Sequence, residues 1–219
     1  MTNTKIKHRL ANDKIMRWSI CLLAALTAVP LFAILGEVLL RGYDQLSWSF
    51  FTEPTPTAYK AMKAIEAGEP IPGGIANGII GTMIMLGMAV IVAVPLGILC
   101  GAFLAENSKS RVAQVVSYLT DLLQGTPSVI IGIITYIWVV VPMKGYSAIA
   151  GSVALCIMML PLIIRSTEET LKILPSSLKE AGLALGGNSA RVMMKVQLPA
   201  AFGGIFTGVL LAISRVIGE

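Results

Sequence analysis

The 219-residue chain is 55% hydrophobic and 13% charged, with a formal net charge of +5 and a mean hydropathy of +0.79. A soluble domain carries roughly a quarter charged residues, so the composition excludes an ordinary soluble enzyme or binding domain and specifies an integral membrane protein. The three cysteines, Cys21, Cys100 and Cys156, lie inside apolar runs without metal-ligand spacing, which excludes a disulfide framework and leaves them as small packing residues.

A bilayer core about 30 Å thick takes about 20 apolar residues per helix. The pattern predicts spans near Trp18–Leu40, Ile75–Leu104, Val112–Val141, Ala148–Ile164 and Ala200–Glu219. Residues 1–17 form a tail, and residues 18–219 an all-α polytopic membrane domain with loops at 41–74 and 165–199. The first run is too long for a signal peptide and lacks a small-residue cleavage site, so it reads as an anchor.

The tail holds Lys5, Lys7, Arg9, Lys14 and Arg17, the second loop Lys109 and Arg111, and the fourth loop Arg165, Lys172, Lys179, Arg191 and Lys195. These twelve cations face four in the alternate loops, Arg41, Lys60, Lys63 and Lys144. The positive-inside rule therefore predicts a cytoplasmic N-terminus and a cytoplasmic 165–199 loop. The 41–74 loop, with Asp44, Glu53, Glu66 and Glu69, is expected outside. Glu37 and Arg41 read as a structural i, i+4 pair.

Along the spans, the GxxxG spacings Gly74–Gly78, Gly97–Gly101 and Gly204–Gly208 suit close helix packing. Asp121, Gln124, Thr126 and Pro127 mark a polar, kink-prone start to the third span. Asp121 reads as interfacial, with the true span beginning near Thr126. Arg165 closes the fourth span and reads as a positive-inside anchor.

Between the last two spans lies KEAGLALGGNSARVMMKVQLPA, residues 179–200. Ser177 and Glu180 have capping-box spacing, and Leu178, Ala181 and Leu185 recur at helical spacing. Gly186-Gly187 ends this helix, and Asn188 or Ser189 can cap a second one over Ala190–Gln197. Pro199 suits the first turn of the next span. Such a hairpin either lies on the bilayer surface or inserts into a partner's groove, and the residues alone leave both open.

Arg215 lies roughly 22 Å into the last predicted span. An arginine in hydrocarbon costs several kcal/mol unless it meets a partner or a water-filled cavity, and guanidinium suits phosphate oxygens. Pairing with Glu219, or snorkelling to the outer interface, is the alternative. The chain has no G-x-x-x-x-G-K-[ST] loop, H-E-x-x-H or G-x-S-x-G motif, and its one histidine, His8, sits in the tail. An enzyme is disfavoured, no cofactor or metal is implied, and any ATP-driven role needs a separate ATPase.

The spacing E-A-G-x3-G-x9-V-x-L-P is met by Glu180, Ala181, Gly182, Gly186, Val196, Leu198 and Pro199. It resembles the EAA coupling loop of ABC importer permeases. GGIANGIIGT (73–82), LQGTPSVIIGI (123–133), LPLIIRSTEETLKILP (160–175) and GIFTGVLLAISRVIGE (204–219) resemble phosphate-importer permeases of the PstA type. The resemblance implies an inner-membrane subunit that works with a sister permease, two ATP-binding subunits and an extracytoplasmic phosphate-binding protein. It also implies substrate-pathway roles for Arg215 and Glu219, and for Arg165, which matches the LP-x-x-x-R motif. Sulfate or molybdate is the alternative substrate. The resemblance implies a sixth span, so the chain is expected to be C-terminally truncated.

Overall fold

The computed structural model describes residues 2–43, 46–69 and 71–219, with side-chain surroundings from Asp13 onward. Asp44 and the side chains of Lys5, Lys7, His8 and Arg9 lie outside the described set. Two compact units divide at Asn77 and Gly78. No strand occurs among the described residues.

The first unit opens with α1, Thr2–Gly42. No glycine or proline precedes Pro30, so nothing stops the helix at residue 17, and the predicted tail is its first turns. Asp13–Gly42 is long and apolar enough to cross a membrane. Arg41 donates to Glu37 at 2.5 Å and Arg17 to Asp13 at 2.7 Å.

The 41–74 loop carries two short helices, α2 (Trp48–Thr52) and α3 (Ala58–Ala67), the latter ended by Gly68 at φ 68°. The start of α4 (Ala76–Glu106) leans on α2 and the turn after it. Ile75 N–H donates to the Phe50 carbonyl at 2.8 Å and Ala76 N–H to that of Glu53 at 3.0 Å. Asn77 Oδ1 accepts from both the amide and the hydroxyl of Thr55. These bonds occupy amides and carbonyls that helix ends leave unpaired.

In the second unit, α8 (Ala148–Ile173) is the central helix. Two glycine pairs face it. A β-carbon at Gly97 would lie 2.6 Å from Ile163 Cγ2, and one at Gly101 2.7 Å from Thr167 Cβ. Gly204 faces Thr170 and Gly208 faces Ser166. The first ordering makes α4 parallel to α8, and the second makes α12 (Phe202–Ile217) antiparallel to it. Lipid is as apolar as the side chains, so close backbone approach and van der Waals contact carry this association. Leu86, Ala89, Ala93, Met159, Ile163, Ala212 and Val216 fill the seam.

Parallel α4 and α8 require the intervening chain to return to the other end of the bundle. It does so in a broken path, α5 (Arg111–Gly125) followed by α6 (Ser128–Thr135), a π-helical turn over Tyr136–Val140 and α7 (Val141–Met143). The two arms meet at 105°, which corrects the continuous third span expected over Val112–Val141. Pro127 supplies no amide and holds Thr126 extended, at ψ 128°, so the helix stops there.

The other long helices are revised at their ends. α8 runs on to Ile173, past the expected Ile164, because Arg165–Glu168 and Glu168–Lys172 pairs at helical spacing support the extra turns. The last span is joined through a 73° bend after Ala200. Among the described residues, three helices have spanning length and composition, or up to five if each bent pair counts as one span.

Candidate coupling hairpin and charged sites

Leu174 is extended before Pro175, as the residue preceding proline must usually be. α9 (Ser176–Ala184) therefore starts with Pro175 at its N-cap and no side-chain capping bond. The expected Ser177–Glu180 capping box does not form, because Ser177 already lies inside the first helical turn. Gly186 closes the helix at φ +81°, a region that costs a residue with a β-carbon roughly 1–2 kcal/mol. Asn188 caps α10 (Ser189–Val192), accepting from the Arg191 amide at 2.8 Å. The second helix expected over Ala190–Gln197 is this short turn continued by a π-helical turn, Met193–Gln197, and α11 (Leu198–Ala200), which contains Pro199.

Gly182 lets the two arms touch, since a β-carbon there would stand 2.8 Å from Val192 Cγ1. Glu180 and Ala181 are exposed. Leu185 is 90% exposed and Leu183 41%, so the hairpin presents apolar side chains at its tip. Its root is buried: Met193, Ala201 and Ile205 cluster with Ala102 and Leu171, and Leu198 packs against them. A polar tie also joins the hairpin to α4. Glu106 Oε1, at the end of α4, accepts from Lys179 Nζ at 2.5 Å and from Ser189 Oγ at 2.6 Å. Its partners are 73 and 83 residues away, beyond the reach of local spacing.

Arg165 clamps α8 to α5. Its Nε and one terminal nitrogen donate to Asp121 Oδ1, and that same nitrogen donates to Ser117 Oγ at 2.7 Å and the Ser117 carbonyl at 3.1 Å. The other terminal nitrogen donates to Glu168 Oε2 at 2.6 Å, and Lys172 pairs with the second oxygen of Glu168. The Glu168 side chain is 7% exposed and that of Arg165 20%. A cleft of about 360 Å³ borders the group. Two cations facing two carboxylates carry no net charge, so the cleft is a poor anion trap. Neither Ser117 nor Glu168 was singled out from sequence. The i, i+3 spacing of Arg165 and Glu168 was a usable signal.

Arg215 differs. Ala212 and Val216 of α12 are buried while Arg215 is exposed. Among the described residues no carboxylate lies within 4.0 Å of it. The alternative pair with Glu219 does not form, and Glu219 is exposed too. Gly208 stands opposite Ser166, so Arg215 lies roughly 10 Å further along α12. The three charged residues expected on a pathway are not gathered into one site.

The family described as "Binding-protein-dependent transport system inner membrane component" matches residues 93–219. The phosphate transport system permease protein PstA of Yersinia pestis is 39% identical over 187 residues, covering 85% of this chain and 60% of the relative. The PstA proteins of Haemophilus influenzae and Pasteurella multocida are 36% and 34% identical, covering 85% and 100% of this chain and 62% and 75% of their own lengths. The chain thus spans about 60% of the length of the first two relatives. Structures of the MetNI methionine ABC transporter in inward-facing conformations share the fold, with TM-scores of 0.55 and 0.51. The first is 19% identical, over 74% of this chain and 72% of that one. The chain belongs to the family of binding-protein-dependent transport system inner membrane components.

Proposed function

We propose that this chain is part of a permease subunit that moves inorganic phosphate across the inner membrane in an ATP-driven importer. The α9–α10 hairpin is the observation that carries this reading. It presents the exposed Glu180, Ala181, Leu183 and Leu185 on a rigid turn fixed by Gly182 and Gly186. A helix with an exposed apolar stripe and a fixed base suits insertion into a partner's groove. The phosphate assignment is supported by relatives named as phosphate permeases.

The subunit itself hydrolyses nothing. It pairs with a sister permease, docks its 165–199 loop on two cytoplasmic ATP-binding subunits, and receives phosphate from an extracytoplasmic binding protein. The N-terminus is cytoplasmic. During alternating access, Arg215 and Glu219 line the route, and Arg215 meets the anion because no carboxylate among the described residues engages its guanidinium. Arg165 fits a pathway role less well, since every guanidinium nitrogen is engaged.

Reconstitution of the full-length protein with these partners in vesicles tests the proposal. ATP-dependent accumulation of radiolabelled phosphate is the expected result. Accumulation of sulfate or molybdate instead would change the substrate and keep the architecture. Failure of the assembled complex to accumulate any oxyanion would reject the transport assignment.

A further inference from the structure

We propose that Glu106 is a positioning residue that fixes the angle of the coupling hairpin against α4. The inference rests on the coupling role assigned to that hairpin. Three observations support it.

First, the hairpin is internally tight. Val192 fills the space above Gly182, and Gly187 N–H donates to the Gly182 carbonyl at 3.3 Å. It therefore moves as one body. Second, its root is apolar, with Ala102 of α4 packed with Leu171, Met193, Ala201 and Ile205. Non-directional packing of this kind holds the root in place and leaves its angle loosely defined. Third, Glu106 follows Ala102 by four residues, on the same face of α4. Its single oxygen Oε1 accepts from Lys179 on α9 and from Ser189 at the start of α10. One carboxylate thus grips both arms of the hairpin, and its hydrogen bonds supply the direction that the apolar root lacks.

The staple is partly exposed, with side-chain exposures of 24% for Glu106 and 34% for Lys179. Such partly exposed pairs contribute little net free energy. Glu106 therefore ties α4 to the hairpin in one orientation while letting the tie break when the ATPase moves.

The test uses the full transporter complex in vesicles, reading basal ATP hydrolysis, hydrolysis stimulated by the extracytoplasmic binding protein, and the amount of assembled complex. Glu106→Ala should leave assembly and basal hydrolysis unchanged and reduce stimulation by at least about fivefold. Glu106→Gln, which keeps an acceptor for Ser189 and loses the ion pair, should fall between the two. Glu106→Lys and Lys179→Glu should each be defective, and together should recover stimulation to within about twofold of wild type. Wild-type stimulation in Glu106→Ala, or a charge swap no better than its single variants, overturns the proposal. So does a loss confined to assembly, with stimulation per assembled complex unchanged in both Glu106→Ala and Glu106→Gln. A wild-type complex that is stimulated yet accumulates no phosphate would refute the substrate assignment and leave this test intact.

Discussion

Arg165 and Arg215 both sit in apolar helices of the second unit, and their surroundings are opposite. Arg165, near the end of α8, is one-fifth exposed and held by Asp121, Glu168 and Ser117. Arg215, in α12, is exposed and meets no carboxylate among the described residues. A guanidinium whose nitrogens are already engaged offers an anion little, and its contribution is to fasten α5 to α8. A guanidinium with no carboxylate near it among the described residues keeps its donors available, and the pathway role proposed for Arg215 draws on that. Residue type is shared, and the acceptors within reach differ.

Four substitutions test that contrast. Arg215→Gln has the largest expected effect, a loss of phosphate uptake greater than about tenfold, since each 1.4 kcal/mol of lost anion stabilisation is a factor of ten. Co-purification of the complex should be unchanged. Arg165→Gln comes next and acts on stability. It leaves Glu168 buried with Lys172 as its remaining partner, and should cost about 1–3 kcal/mol in thermal or denaturant unfolding of the purified protein. Asp121→Asn removes a partner that is 61% exposed, so its cost should stay within about 1 kcal/mol in the same assay. Glu219→Gln should change unfolding by less than about 0.5 kcal/mol, because among the described residues its carboxylate pairs with no cation. A Glu219 effect as large as that of Arg165 would show that the contrast between the arginines is misdrawn.

The sequence revealed what depends on composition and on single-residue geometry. The apolar runs located α4, α8 and α12, since about 20 consecutive apolar residues have few other uses. The glycine pairs at 97/101 and 204/208 marked the seams on α8, because only small residues let backbones approach so closely. Gly186 announced the hairpin turn, and its positive φ is the reason a glycine stands there. Ser177 misled, because three-residue spacing to Glu180 is necessary for a capping box but does not fix where the helix starts, and Pro175 started it earlier. Pro127 indicated a kink without its size, since a proline ends a helix but does not fix the 105° at which the next arm leaves. The grip of Glu106 on Lys179 and Ser189, and of Asp121 on Arg165, joins residues far apart in the chain. Only the packing of the bundle creates those contacts.

Phosphate uptake per assembled complex, measured for Arg165→Gln and Arg215→Gln side by side in the same reconstituted vesicles, separates the two roles. The clamp-and-pathway account predicts that Arg165→Gln, corrected for its lower yield, transports close to the wild-type rate while Arg215→Gln transports almost nothing. Near-normal uptake in Arg215→Gln, or an equal loss in both variants after that correction, would contradict it.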